Sequence, residues 1–235
     1  MKKIVLLLLV GLSSFTTSYA QGVSFGPELG LNLYSLSSAY NGTKDNNGLM
    51  AGLKIGGVVD VPITHRVSFQ PGLFYSMKGS NERYTSSVTA PDGVTTIHDN
   101  SYDYRLGYIE IPLNFQYNCK NRGWGHLFFG AGPYVAFALG GNVTNDNSTT
   151  VIQPNGFSTT SGHTTSYTLR VGNDAARDHV KGVDAGLNFD LGYMFRSGFF
   201  MRGNLGVGLA NIQPGGDANN YMRNWGLGLS LGYMF

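Results

Sequence analysis

Trp225-Gly226-Leu227-Gly228-Leu229-Ser230-Leu231-Gly232-Tyr233-Met234-Phe235 ends the chain, and its alternation decides the fold. Every second residue is large and apolar or aromatic, and most of those between are glycine or serine. A period of two is that of a β-strand, which turns successive side chains to opposite faces. Seven earlier segments repeat the pattern, at 23–33, 49–61, 67–77, 107–117, 127–139, 183–195 and 199–209. In the first, Val23, Phe25, Leu29, Leu31 and Leu33 alternate with Ser24, Gly26, Glu28, Gly30 and Asn32.

One parity serves all eight segments. Every odd-numbered position is apolar, aromatic, glycine or proline. The charged residues Glu28, Lys54, Asp60, Glu110, Asp184, Asp190 and Arg202 are all even-numbered. The even face is also rich in glycine, including Gly26, Gly56, Gly130, Gly192, Gly206, Gly228 and Gly232. Glycine weakens a strand and marks close packing or tight curvature, which a crowded interior needs and a solvated surface does not. The even face therefore points inward and the apolar odd face outward, toward lipid. An arginine or lysine on a lipid face costs about 2–4 kcal/mol at the bilayer midplane, which explains the absence of charge there.

Composition agrees. Of 235 residues 34 are glycine and 13% are charged, against 42% hydrophobic, which suits neither a coiled coil nor a disordered chain. One cysteine, Cys119, excludes an internal disulfide framework. The start, MKKIVLLLLVGLSSFTTSYA, reads as a secretory signal peptide over residues 1–20. Lys2 and Lys3 precede an apolar run too short to span a bilayer, and Ser18-Tyr19-Ala20 offers a cleavage site. The leader holds two of the 16 basic residues and none of the 14 acidic ones, so residues 21–235 are formally neutral. The net charge of +2 belongs to the leader and gives no support for nucleic acid.

Aromatic residues gather at the strand ends. Tyr117, Trp124, Tyr193, Phe195, Phe199, Tyr233 and Phe235 lie beside short connections, and Tyr34, Tyr75, Tyr102, Tyr104, Tyr221 and Trp225 beside long ones. Short connections fall at 62–66, 118–126 and 196–198, and long ones at 34–48, 78–106, 140–182 and 210–224. Girdles around an apolar band, with short periplasmic turns and long extracellular loops, are the pattern of bacterial outer-membrane barrels. The fold expected is an all-β, eight-stranded, antiparallel up-and-down transmembrane β-barrel with both termini periplasmic, as one domain over 21–235. A ten-stranded alternative would use 147–153 and 165–171, which are polar for a lipid face. Pro91-Asp92-Gly93 and Pro154-Asn155-Gly156 are turn signals that predict ribbons extending past the membrane.

An eight-stranded barrel is only just wide enough to be filled by side chains. With Leu33 opposite Leu49, Glu28 faces Lys54; with Phe195 opposite Phe199, Arg202 lies diagonal to Asp190. The surplus acid is left to Lys78, Arg105, Gln70, Asn114, Gln116, Asn188, Asn204 or water. Glu28, Lys54, Asp60, Glu110, Asp184, Asp190 and Arg202 are thus expected to form a structural polar network in the lumen. No catalytic, cofactor or metal site is expected, because His65, His98, His126, His163 and His179 lack metal-ligand spacing. An outer-membrane lipid-modifying enzyme would need His98 or His163 joined to a serine and an acid.

At Tyr108-Ile109-Glu110-Ile111-Pro112-Leu113-Asn114-Phe115-Gln116-Tyr117 the chain resembles the PorT-type outer-membrane β-barrel domain of Gram-negative bacteria, which commonly carries a Y-L-E-I-P-L-x-x-x-Y strand there. Gly130-Ala131-Gly132-Pro133-Tyr134, Asp184-Ala185-Gly186-Leu187-Asn188 and the glycine-rich last strand agree. The resemblance implies an integral outer-membrane barrel of about eight strands. Through the family's founding member it also implies a link to protein secretion. The terminal Tyr233-Met234-Phe235 resembles the signal read by the barrel assembly machinery, with Ser230 where glycine is often found. The expected function is a monomeric, non-enzymatic structural or interaction protein in outer-membrane lipid, meeting a secretion-system or extracellular protein through its hairpin loops. The alternative is an accessory of secretion or small-solute transport.

Overall fold

The computed structural model describes residues 22–45, 47–119 and 123–235; the proposed leader at 1–20 lies outside the described residues. The strands are β1 (Ser24–Tyr40), β2 (Thr43–Asp45), β3 (Met50–Pro62), β4 (Val67–Thr89), β5 (Thr95–Asn118), β6 (Gly125–Ile152), β7 (Ser158–Leu169), β8 (Val183–Phe195), β9 (Phe199–Gly208) and β10 (Tyr221–Tyr233). The ladder runs antiparallel in the order β1, β3, β4, β5, β6, β8, β9, β10, and β10 pairs back onto β1, so the sheet closes on itself. Ten strands are present among the described residues where eight were expected. The additional two are short or peripheral: β2 pairs the end of β1, and β7 pairs the far half of β6.

The two faces fall as the parity predicts. Leu31 is 64% exposed on the outside while its neighbour Asn32 is 1% exposed inside. Phe25, Leu29, Leu53, Ile55, Leu187, Leu191, Leu227 and Leu229 all face out. At one end, Tyr233 stacks edge-on with Phe199 and Phe235 at centroid distances of 4.9 and 4.8 Å, and Phe25 lies 5.5 Å from Phe235. The other end is less aromatic than expected. Tyr75 and Trp225 face out, but Tyr34 is buried inside, and Tyr102 and Tyr104 pack on an inner cluster.

Two registers test the sequence reading. The three-residue turn 196–198 puts Gly192 opposite Arg202, as predicted. The β1–β3 pairing is displaced by two residues, with Glu28 opposite Gly56 and Lys54 opposite Gly30, so Glu28 does not face Lys54. Within the 34–48 connection lies an Asn41-Gly42 turn, with φ of 49° and 79°. Both residues take the left-handed conformation of a tight hairpin turn, which Asn and Gly adopt most readily. β1 therefore runs on to Tyr40 and doubles back as β2. The 34–48 connection is hairpin as well as loop.

The ribbons form as predicted. At each tip the same turn recurs: Gly93 N–H donates to Ala90 O and Val94 N–H to the Asp92 side chain, while Gly156 N–H donates to Gln153 O and Phe157 N–H to the Asn155 side chain. Beyond the closed part, β4, β5, β6 and β7 stand side by side as one four-stranded sheet.

Glycine on the inner face leaves room for aromatic rings to cross the interior. A Cβ at Gly192 would collide with the Phe128 ring and with the Met201 carbonyl oxygen, which is backbone and cannot swing aside. Gly192→Ala is expected to lower stability by about 1–3 kcal/mol through overpacking. Urea unfolding of the protein in detergent or lipid measures this; an unchanged midpoint would mean that the rings have slack.

Candidate functional site

The interior is organised in layers along the axis. Nearest the termini, Val58, Phe74, Phe128 and Phe200 pack together with Met194 and Met234 against them. Just inside the same rim, half-buried Asp60 accepts hydrogen bonds from Ser68 (2.7 Å) and Gln70 (3.2 Å).

Arg202 organises the next layer. Its guanidinium lies 3.2 Å from Glu28 and 3.8 Å from Asp190, donates to Gln70, and sits 5.2 and 5.5 Å from the centroids of Phe200 and Phe128. It reaches Glu28 past β10 because Gly228, Ser230 and Gly232 leave that strand nearly bare. Ser230, where a glycine is often found, donates to Glu28 Oε1 at 2.7 Å. Asn114 donates to Asp190 at 2.6 Å, and Lys54 covers the Phe74 ring at 4.2 Å.

Lys78 is the centre of a second charged layer. Its ammonium lies 2.7 Å from Glu110 and 3.3 Å from Asp184, ringed by Tyr34, Tyr108 and Tyr134 at 5.2, 5.3 and 4.3 Å. Asp184 also accepts from Tyr134 (3.1 Å) and Asn224 (3.0 Å). Burying charge is costly unless it is paired and hydrogen-bonded; here each of Arg202 and Lys78 lies against two buried carboxylates, so the cations offset the acid without cancelling it.

The seven sequence-predicted residues thus divide. Glu28, Asp190 and Arg202 meet in one cluster, and Glu110 and Asp184 in the other. Lys54 is buried between aromatic and charged groups, and Asp60 stands at the rim. Of the candidate counter-charges Lys78 is inside, whereas Arg105 points outward to Asp103 at 3.9 Å. The residues missed are Tyr34, Tyr108, Tyr134, Ser230 and Asn224. All five are even-numbered, so the parity that placed the charges could also have found them.

Above the lysine, Leu36, Leu106, Val143, Leu169, Val180 and Ile212 form an apolar layer that closes the other end. The segments 170–182 and 209–220 fold over it and are tied together by Lys181 N–H donating to Ile212 O at 2.7 Å. Two acids brace these segments. Backbone N–H groups of Asn219 and Asn220 hold the Asp217 carboxyl below its usual range, and the Ala176 N–H, then Arg177, do the same for Asp174.

The histidines are dispersed. His98 Nδ1 lies 3.1 Å from Thr149 Oγ1, His179 Nδ1 accepts from Arg170 N–H, and His163 faces Asn147 across β6–β7. Among the described residues no three of His, Cys, Asp and Glu gather in a way that could hold a metal ion. On the outer wall, Leu29, Ile55, Phe199, Met201, Leu231 and Tyr233 line a shallow apolar groove of about 510 Å³.

A family model described as outer membrane protein beta-barrel domain matches residues 19–214. No curated protein matches the chain. Among solved structures, Ail, the attachment invasion locus protein of Yersinia pestis, in complex with the heparin analogue sucrose octasulfate, aligns over 91% of this chain and 99% of its own, at 9% identity and TM-score 0.36. A TodX deltaS2S3 mutant monoaromatic hydrocarbon channel aligns over 91% and 90%, at 7% identity and TM-score 0.29. Pseudomonas aeruginosa OccK2 (OpdF) aligns over 90% and 98%, at 10% identity and TM-score 0.17.

Proposed function

The chain belongs to the outer membrane protein beta-barrel domain family, and from that premise we propose that it is a sealed, non-catalytic outer-membrane protein that acts through the sheet standing clear of its wall. In this reading the eight strands of the closed circuit are the membrane-spanning barrel. Both termini and the short turns face the periplasm, and the β4–β7 sheet is extracellular. The strand Tyr108–Tyr117 supports a PorT-type assignment within the family. Lipid chains cover the outer leucines and the groove beside Tyr233. Phe235, 67% exposed on that wall, fits a C-terminal signal for barrel assembly.

The interior carries the reading. An apolar layer closes each end and two charged clusters, each built on one cation between two carboxylates, fill the middle, leaving Lys78, Glu110 and Asp184 at most 2% exposed. Conduction would require parting Lys78 from its carboxylates, and transport through this interior is disfavoured for the same reason. Planar-bilayer recording of the purified protein is expected to give a flat trace. Reproducible stepwise currents scaling with inserted protein would overturn the reading.

A further inference from the structure

We infer that the inner face of the β4–β7 sheet, around Tyr84, Tyr102 and Tyr167, is a binding surface for neutral oligosaccharides. The inference rests on the reading of that sheet as extracellular.

Strand register fixes which side chains share the face. Tyr104 lies opposite Val143, which lies opposite Tyr167, and Val143 belongs to the buried inner layer. Two residues further out the row is Glu82, Tyr102, Asn145 and Thr165, and beyond it Tyr84, Asn100, Asn147 and His163. Residues directly opposite, or two apart on one strand, project to the same side. The three rows make a surface about 14 Å across, from the spacing of four strands.

The chemistry of this face is selective. Tyrosines are spaced among amides, a histidine and one carboxylate, and the three rows contain no lysine or arginine. Arg83 and Arg105 belong to the opposite face, since each alternates with a residue of these rows. A ring face accepts the C–H side of a pyranose, while amides and the carboxylate meet hydroxyl groups that both donate and accept. Sulfated or uronic glycans would find no lysine or arginine in these rows to pair with. Tyr84 and Tyr167 are half exposed, and Tyr84–Tyr102 and Tyr167–His179 contacts at 6.4 and 5.9 Å hold the rings in place.

The test uses the full protein in nanodiscs on an array printed with neutral hexose and N-acetylhexosamine oligomers beside sulfated and uronic ones. Signal is expected on neutral glycans, insensitive to added salt. It should fall about tenfold in Tyr84→Ala and Tyr167→Ala, the loss of one stacking contact, and persist in the outer-face variants Thr85→Ala and Thr150→Ala. Each variant must retain the heat-modifiable gel mobility of a folded barrel. No signal, signal confined to anionic glycans and removed by salt, or equal losses from both faces would each overturn the inference. Labelling whole cells with a membrane-impermeant maleimide at Ser161→Cys, in a Cys119→Ser background, separates the two readings. Labelled cells with no glycan signal overturn the sugar surface alone, and unlabelled cells overturn the extracellular orientation.

Discussion

Lys78→Met is expected to destabilise the protein by about 3–5 kcal/mol, the cost of leaving buried carboxylates without their cation. Glu110 and Asp184 lie 2.7 and 3.3 Å from the ammonium and are shut off from water on every side. Methionine fills much of the lysine's volume, so the loss is electrostatic rather than a cavity. Asp184 keeps donors from Tyr134 and Asn224, which makes Glu110 the more exposed partner in energetic terms. The double variant Lys78→Met/Glu110→Gln should therefore recover part of the loss, because a neutral amide needs no counter-ion. Urea unfolding of both variants in lipid vesicles reads the difference. A single variant as stable as the parent would mean that water or another cation reaches these carboxylates, and the sealed interior would fail with it.

Much of this was written in the sequence, and the exceptions have particular causes. Alternation located the strands of the closed ladder because their outward face is apolar and carries no charge, which leaves a pattern as regular as the pleat itself. The Gly192–Arg202 register was legible because the turn before Phe199 has only three residues. The partner of Glu28 is not legible because the 34–48 connection is too long to fix a register, and it holds a hairpin of its own at Asn41-Gly42. The single parity also stops at Leu139. There β6 carries an extra residue, so Tyr108 lies opposite Ala138 but Gly107 opposite Gly140, and beyond it odd residues such as Val143 face inward. A bulge of this kind turns a strand's face without marking the local hydrophobic pattern. The tyrosine face of the emergent sheet was hidden for that reason. Its rows join even residues of β4 and β5 to odd residues of β6 and β7, which only the register reveals.

Leu229→Arg is the variant that separates a membrane wall from a water-exposed one. Leu229 is 61% exposed, with Leu31 opposite on β1 and Gly203 opposite on β9, midway between Trp225 and Tyr233 on its strand. Were this face in water, an arginine would replace an exposed leucine at little cost, and surface substitutions of that kind stay within about 0.5 kcal/mol. In lipid the same change costs about 2–4 kcal/mol, because the position is midplane and the side chain cannot easily reach either interface. The cost should also depend on depth. Tyr233→Arg, at the girdle, is expected to lose about 0–1 kcal/mol of burial cost, apart from its lost ring contacts with Phe199 and Phe235. A soluble protein has no axis along which identical substitutions would grade in this way. Unfolding midpoints in vesicles for arginine at 225, 229 and 233 supply the profile. A maximum at Leu229 fits the lipid-facing wall, and a flat profile would remove it.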